Sequence, residues 1–353
     1  MRKVLKRGFL VIAFVLLLII IAAVILFWNE LRSLASIKKV DAHPLYQMTY
    51  YGDYGFDEFL ETGAESDRDI EAFVVKRLLR GVDIDLNITG AGCTVFVADD
   101  EEGNRIFARN FDFDYAPAVQ IITTPQNGYR SISTVNLSFV GYHKDNLPNF
   151  GLSPKSFLML AAPYMPFDGM NEKGLAIALL AVPKSDAPYD ENKVTLNTTT
   201  SIRLVLDKAA TVDEAIDLLS QYNIYFSGDV DCQFLIADAS GNSVLVEYWD
   251  GDLKVIPASS SCQVASNFIA YNGLNIGEGF TEIERFETVN DFLDENDGTV
   301  SAKEAADLLT EVSVYAEESD RLQWSVIYRL NDLDGEIFAG RNREDLIPFS
   351  LAQ

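Results

Sequence analysis

One cysteine stands in a setting suited to nucleophilic chemistry. Cys93 follows Gly92 at the head of a strand-like run, and the next such run carries Arg109 and Asp112. Asn171 comes later, inside Asp168-Gly169-Met170-Asn171-Glu172-Lys173-Gly174-Leu175. A thiol, a guanidinium, a carboxylate and a carboxamide are the groups needed to attack an amide carbonyl and hold its oxyanion. The usual general base of such chemistry is scarce, because the chain has only two histidines, His43 and His143. The alternative is the α-amino group of Cys93 itself, with an unperturbed pKa of about 8. That amine exists only if the bond between Gly92 and Cys93 is cut.

The elements around these residues read as follows. Residues 93–98 and 105–111 flank a polar turn at 99–104, a hairpin that returns Arg109 and Asp112 towards the start of the first strand. Further strands are predicted at 119–123, 131–140, 157–161, 175–182, 231–237, 243–249, 253–256, 324–330 and 336–339. Helical spacing marks 66–79, stopped by Gly81, and helices are also predicted at 199–208 and 211–219. Thr211 with Glu214 has the capping-box pattern, and Thr281-Glu282-Ile283-Glu284 and Ser301-Ala302-Lys303-Glu304 open two more helices. Strands come in antiparallel-looking groups with helices in blocks between them. That pattern predicts an α+β fold of two sheets covered by helices rather than alternating βαβ units.

The N-terminus is a second strong signal. Residues 9–28 carry no charge or proline, which as a helix is roughly 30 Å, the thickness of a bilayer's hydrocarbon core. Basic residues flank it on both sides, with a slight bias that places the N-terminus inside and the body outside. Ser33-Leu34-Ala35 resembles a signal-peptide cleavage site, but the apolar run is longer than a usual signal core, which favours an uncleaved anchor. The first 39 residues carry seven Lys/Arg and one acidic residue, so +6, which leaves −31 of the total −25 for the rest. A body that acidic repels phosphate backbones, so nucleic acid is not an expected partner. The domain reading is a basic tail at 1–8, a transmembrane anchor at 9–28, a stalk and precursor segment at 29–92, and a catalytic domain at 93–353. The aromatic, irregular stretch 45–56 is expected to line or shield an acyl pocket. Cys93, Cys232 and Cys262 have neither disulfide-framework nor metal-site spacing. Cys232 and Cys262 read either as core residues in strands or as a pair.

Five blocks in order resemble the choloylglycine hydrolase-type N-terminal-nucleophile amidases: Cys93-Thr94 with Arg109 and Asp112, residues 169–175, residues 238–247, Val264-Ala265-Ser266-Asn267, and Glu284-Arg285-Phe286. The resemblance covers about 93–330. The long segment before the cysteine is more similar to acid ceramidase, N-acylethanolamine acid amidase and the penicillin acyltransferases, which cleave an inactive precursor before the cysteine. The resemblance implies a four-layer αββα sandwich of two antiparallel sheets, and a linear-amide hydrolase that needs no metal or organic cofactor. It further implies roles: Cys93 as nucleophile and new N-terminus, Gly92–Cys93 as the cleaved bond, and Asp112 as anchor of the amine. Arg109 would lower the thiol pKa, Asn171 would donate to the oxyanion, Asn267 would act as a second polar group, and Arg285 as a supporting cation.

The same residues have plainer readings. Met-Asn-Glu-Lys-Gly is a good turn, Asp112 and Arg109 could form a hairpin ion pair, and Arg285 could be a solvated helix charge. The expected substrate is a small N-acyl amide with an apolar acyl group; acyl transfer, bile-salt or penicillin amides, and a tethered non-catalytic module are the alternatives. A thiol peptidase using His43 or His143 is a further class. Residues 1–92 and 93–353 are expected to stay associated or to separate after cleavage, homo-oligomers are left open, and the catalytic domain is placed on the extracellular or lumenal side of a cell membrane. Asn87, Asn136 and Asn197 head glycosylation triplets.

Overall fold

A tight hairpin at the centre of the molecule carries Cys93. The computed structural model describes residues 2–81, 92–113, 115–148, 153–273, 281–316 and 319–352; the Asn87 triplet and the Gly90-Ala91 pair lie outside them. Strand β3 (Gly92–Asp99) and strand β4 (Arg105–Asp112) pair antiparallel around a turn in which Asp100 accepts from the Asn104 amide and Gly103 has φ +83°. Nearly every residue of both strands is buried, because each face has its own covering layer.

The remaining strands are β1 (Lys38–Lys39), β2 (Leu45–Thr49), β5 (Ala118–Thr123), β6 (Ser131–Asn136), β7 (Pro166–Asn171), β8 (Leu175–Ala181), β9 (Thr195–Asn197), β10 (Asn223–Tyr225), β11 (Cys232–Asp238), β12 (Ser243–Trp249), β13 (Asp252–Pro257), β14 (Gln263–Ala265), β15 (Tyr315–Ala316), β16 (Ser319–Asp320), β17 (Leu322–Arg329), β18 (Asp334–Ala339) and β19 (Ile347–Ser350). The helices are α1 (Arg2–Leu26), α2 (Trp28–Ala35), α3 (Phe56–Thr62), α4 (Asp67–Arg77), α5 (Thr198–Lys208), α6 (Val212–Leu219), α7 (Thr281–Glu295) and α8 (Ala302–Glu311). A nine-stranded sheet runs β1-β2-β5-β6-β7-β8-β11-β12-β13, and a six-stranded sheet runs β14-β3-β4-β17-β18-β19. Pairing is antiparallel in both apart from β2 against β5. Helices α5 and α6 pack on the larger sheet, and α7 and α8 on the smaller. The result is the expected αββα sandwich. An apolar layer including Val95, Val97, Phe111, Ile177 and Trp324 fills the space between sheets, and a second one, with Phe96, Ile106, Val289 and Leu309, lies under α7 and α8.

Several local expectations hold for the reasons given. Helix α8 opens at Ser301-Ala302-Lys303-Glu304 as expected, and there Ser301 and Glu304 form a reciprocal capping box. At α6, Thr211 accepts from the Glu214 amide, but the Glu214 carboxylate reaches back to Ala210 instead of closing the box. Four readings are corrected. The predicted strand at 157–161 lies within a 3-10 helix, Pro154–Tyr164, bounded by a proline at its start and carrying Pro163 near its end. The strand begun at Ser131 stops at Asn136, which caps a 3-10 turn, Leu137–Val140, by accepting from the Ser138 amide. Asn197 likewise caps α5. Asn136 and Asn197 are both buried in these capping roles, which leaves no room for a glycan.

The third and fourth corrections concern the precursor segment. In place of a stalk, residues 29–40 form most of α2 and all of β1, with Ser33, Leu34 and Ile37 buried and Ser33 Oγ accepting from the Tyr51 amide. The aromatic stretch 45–56, expected to be irregular, supplies β2 and a buried cluster: Tyr46, Tyr50, Tyr54 and Phe56 pack with Phe59, Val74 and Tyr164. Tyr54 donates to Asp207 at 2.6 Å, and Asp207 pairs with Arg203 at 3.2 Å, all three buried. Arg203 also donates to Thr123, Ser131, Ser133 and the Pro163 carbonyl. The helix α1 is apolar enough to cross a membrane over Arg7–Leu26 and is unburied there; it ends at Leu26, two residues before the expected boundary, and α2 begins at Trp28.

Candidate active site

Register places the two ends of Cys93 in different surroundings. Cys93 lies opposite Phe111, Gly92 opposite Asp112, and Val95 opposite Arg109. Side chains alternate along a strand, so Cys93 and Arg109 project between the sheets while Thr94 and Asp112 project towards α7 and α8. Between the sheets, Arg109 donates from Nη2 to the Cys93 sulfur at 3.3 Å and from Nη1 to Asp168 Oδ2 at 2.5 Å. Asp168, on β7 of the opposite sheet, also accepts from Trp324 Nε1 at 3.1 Å and Tyr328 Oη at 2.7 Å. All of these side chains are fully buried. Burial pushes the Cys93 thiol above its ordinary pKa; Arg109 pulls the other way without overcoming it. The expectation of a thiol pKa lowered by Arg109 therefore holds for the direction of that one interaction and not for the net shift in the uncut chain.

The nitrogen of Cys93 has a separate environment. In the uncut chain it is a peptide N–H, standing where the α-amine would be, and it donates to Asn267 Oδ1 at 2.7 Å. Ala265 pairs with Val95 on β14, and continuing that register by two residues brings Asn267 beside Cys93. Asn267 Nδ2 is held by the Ala181 carbonyl at 2.7 Å. Arg285, from α7, reaches in from the helix side. It donates to Asn267 Oδ1 at 2.9 Å, Thr94 Oγ1 at 3.1 Å and the Cys93 carbonyl at 3.3 Å, and lies 3.5 Å from Asp112 Oδ2. Asp112 accepts from the Val314 amide at 3.1 Å. Thus Asp112 pairs with Arg285 and Arg109 with Asp168; the hairpin ion pair between Arg109 and Asp112 does not form.

Gly92 is explained by space rather than by strain. Its φ is not in the left-handed region, but a Cβ there would stand 3.2 Å from Asp112 Cβ and 3.3 Å from Val314 Cγ2. Glu247 steadies the segment after Asn267 by accepting from the amides of Ala270 and Tyr271, at 2.7 and 2.9 Å.

Asn171 is the correction at the site. It lies three residues beyond Asp168 on β7 and faces α5, where its Nδ2 donates to the carbonyls of Leu206 and Ala209 at 3.1 and 2.7 Å. Its Oδ1 accepts from the amides of Lys173 and Leu175. It is the keystone of a turn, with Gly174 at φ +74°, where a Cβ would stand 2.5 Å from the Leu330 carbonyl. The structure therefore brings together Cys93, Arg109, Asp112, Asn267 and Arg285, and leaves Asn171 out. It adds Asp168, Trp324 and Tyr328, which the sequence reading passed over. His143 is exposed in a turn with Asn146, and His43 stands beside Tyr115, ring centres 6.4 Å apart. Cys232 is buried in β11 and Cys262 precedes β14; all three cysteines are free thiols.

The sequence model of linear amide C–N hydrolases, choloylglycine hydrolase family, matches residues 93–275, so the match starts at Cys93. The chain belongs to this family. Within the choloylglycine hydrolase family, similarity to penicillin V acylase of Pectobacterium atrosepticum is 38% identity over 111 residues, 28% of this chain and 29% of that protein. Among solved structures, the conjugated bile acid hydrolase of Clostridium perfringens superposes with a TM-score of 0.54 at 19% identity, covering 73% of this chain and 92% of that one. Penicillin V acylase of Agrobacterium tumefaciens gives 0.51 at 19% identity, covering 73% and 86%. These two likenesses establish the shared fold of the choloylglycine hydrolase family.

Proposed function

We propose that this protein is an autoprocessed, membrane-attached cysteine amidase that hydrolyses small N-acyl amides through a Cys93 thioester. The observation that carries the reading is the divided environment of Cys93: its sulfur meets Arg109, while its nitrogen meets Asn267 backed by Arg285. A residue serving only as core packing has no use for either arrangement.

In the first step the Cys93 sulfur attacks the Gly92 carbonyl. The Gly92 C–N bond breaks, the amine takes up the thiol proton, and Gly92 is left as a thioester. Water then releases Gly92 as a carboxylate and regenerates the thiol. The freed amine, with Asp112 and Asn267 holding its charged form, takes the thiol proton as sulfur attacks a substrate amide, and passes it to the departing amine. Hydrolysis of the acyl-thioester closes the cycle. With both amide hydrogens of Asn171 committed to its turn, the second Nδ2 hydrogen of Asn267, the one not given to the Ala181 carbonyl, is the oxyanion donor, a type of contact worth about 3 kcal/mol in a dry site.

The substrate class follows from the family and from position. Bile-acid conjugates and penicillin V are the amides named for the similar proteins. An apolar helix of membrane length beside the body favours an apolar acyl group drawn from a lipid surface. The acidic body then stands outside the cell, or in a lumen, with the basic tail inside. Residues 29–81 supply two strands of the larger sheet and the Tyr54 contact to Asp207, so the small fragment stays with the large one after cleavage.

Intact mass with N-terminal sequencing tests the reading, beside Cys93→Ala. The wild type is expected as two pieces, the larger beginning at Cys93, with amidase activity on N-acyl amides; the variant is expected whole and inactive. An active wild type with the bond after Gly92 intact would refute it.

A further inference from the structure

A groove of about 700 Å³ opens where the end of α1 meets the body. One wall is the last turns of the membrane-length helix, through Ile20, Ala23 and Val24; the others come from Phe27, from α2 and from Leu79, Arg80 and Phe157. Among the described residues the walls are apolar except for Ser153 and one ion pair, Arg80 Nη2 to Glu30 Oε1 at 3.2 Å. Arg80 is held there with φ +52°, a left-handed conformation unusual for a residue with a Cβ, and its guanidinium stands 5.8 Å from the centre of the Phe27 ring. Exposed Trp28 marks the same level, where indole rings favour the membrane–water boundary.

Resting on the membrane-attached reading of α1, we propose that this groove binds one aminophospholipid of the surrounding leaflet. The wall formed by α1 makes the trough continuous with the hydrocarbon that surrounds that helix. An acyl chain gains little by moving from the bilayer into an equally apolar groove, so the headgroup decides occupancy. Arg80 and Glu30 present a cation and an anion side by side. A phosphate with a neighbouring ammonium satisfies both, Arg80 taking the phosphate and Glu30 the ammonium. A phosphoglycerol headgroup of net negative charge would leave Glu30 facing like charge. The lipid then seals the junction of anchor and body, fixing how the catalytic domain sits over the surface from which it draws substrate.

The test uses the full chain in nanodiscs holding equal amounts of phosphatidylethanolamine and phosphatidylglycerol, with a trace of a photoreactive form of each in turn. Crosslinks from the ethanolamine probe are expected to concentrate on peptides containing residues 20–34 and 79–80. Ala23→Trp, which fills the groove, is expected to lower them by at least about tenfold. Glu30→Gln is expected to reverse the preference towards phosphatidylglycerol. Crosslinks spread evenly along α1 and unchanged by either variant would overturn the proposal. Extraction of the same membranes at alkaline pH separates this from failure of the anchor: a retained chain with even crosslinks refutes the groove alone, whereas a released chain refutes the anchor and the groove with it.

Discussion

Arg109 and Asp112 lie three residues apart on β4 and serve opposite faces of it, Arg109 the sulfur of Cys93 and Asp112 the guanidinium of Arg285. Their charges act on the Cys93 thiol in opposite directions, Arg109 lowering its pKa and Asp112 raising it, beneath the larger upward push of burial. The rate of alkylation of Cys93 by iodoacetamide, followed against pH, reads this directly. Arg109→Met is expected to move the inflection to higher pH and Asp112→Asn to lower pH. Shifts of the same sign would show that the two side chains do not divide their work as described.

Asp168 holds Arg109 in place across the gap between sheets. Replacing it by Asn leaves a buried guanidinium without its counter-charge, a change that costs about 3–5 kcal/mol. Tyr328→Phe removes one of three donors to Asp168 and should cost only about 1 kcal/mol. Urea midpoints of the two variants, with activity measured alongside, check the ordering. An Asp168→Asn protein as stable as the wild type would mean that the pair contributes nothing to the sandwich.

The strands that carry the site were legible because alternation and turn chemistry are local. Residues 93–98 and 105–111, joined by an Asp-rich turn with Gly103, could fold in few other ways, and the order of the five blocks placed Asn267 and Arg285 beside Cys93. What was hidden depends on partners distant in sequence. The stretch 45–56 reads as irregular until β5 pairs with it in parallel, and only then do its tyrosines become core. Asn171 sat in the most recognisable block and was mistaken for a donor, because a turn keystone and an oxyanion ligand are the same residue type. Asp168, immediately before that block, holds the guanidinium that meets Cys93; its signal is an acid that must be buried, which needs a cation.

The precursor segment is joined to the body by a contact that can be weakened without disturbing the site. Tyr54→Phe removes the donor at 2.6 Å from Asp207, leaving a buried carboxylate oxygen short of a partner, for about 1–3 kcal/mol. If cleavage occurs as proposed, the two pieces of this variant should separate at lower urea concentration than those of the wild type, while the rate of cleavage stays the same. Size-exclusion chromatography across a urea series distinguishes this from a uniform loss of stability, in which dissociation and unfolding would shift together.

Glu247 gives a pH test of the segment that follows Asn267. Burial raises its pKa above the ordinary 4.5, and the hydrogen bonds from Ala270 and Tyr271 only partly offset this. The folded protein therefore holds the proton more tightly than the unfolded chain. The contribution of Glu247 to stability is greatest below about pH 4.5, falls as pH rises towards its folded-state pKa, and is level above it. Glu247→Gln cannot lose a proton, so that fall should vanish from its profile. The variant also carries a fixed penalty of about 1–2 kcal/mol, because its single carbonyl serves one of the two amides; that penalty is the same at every pH. The difference in unfolding free energy between wild type and variant should therefore shrink from acid to neutral pH. A difference that stays constant, measured by urea denaturation at pH 4 and pH 7, would mean that Glu247 titrates alike in the folded and unfolded chains.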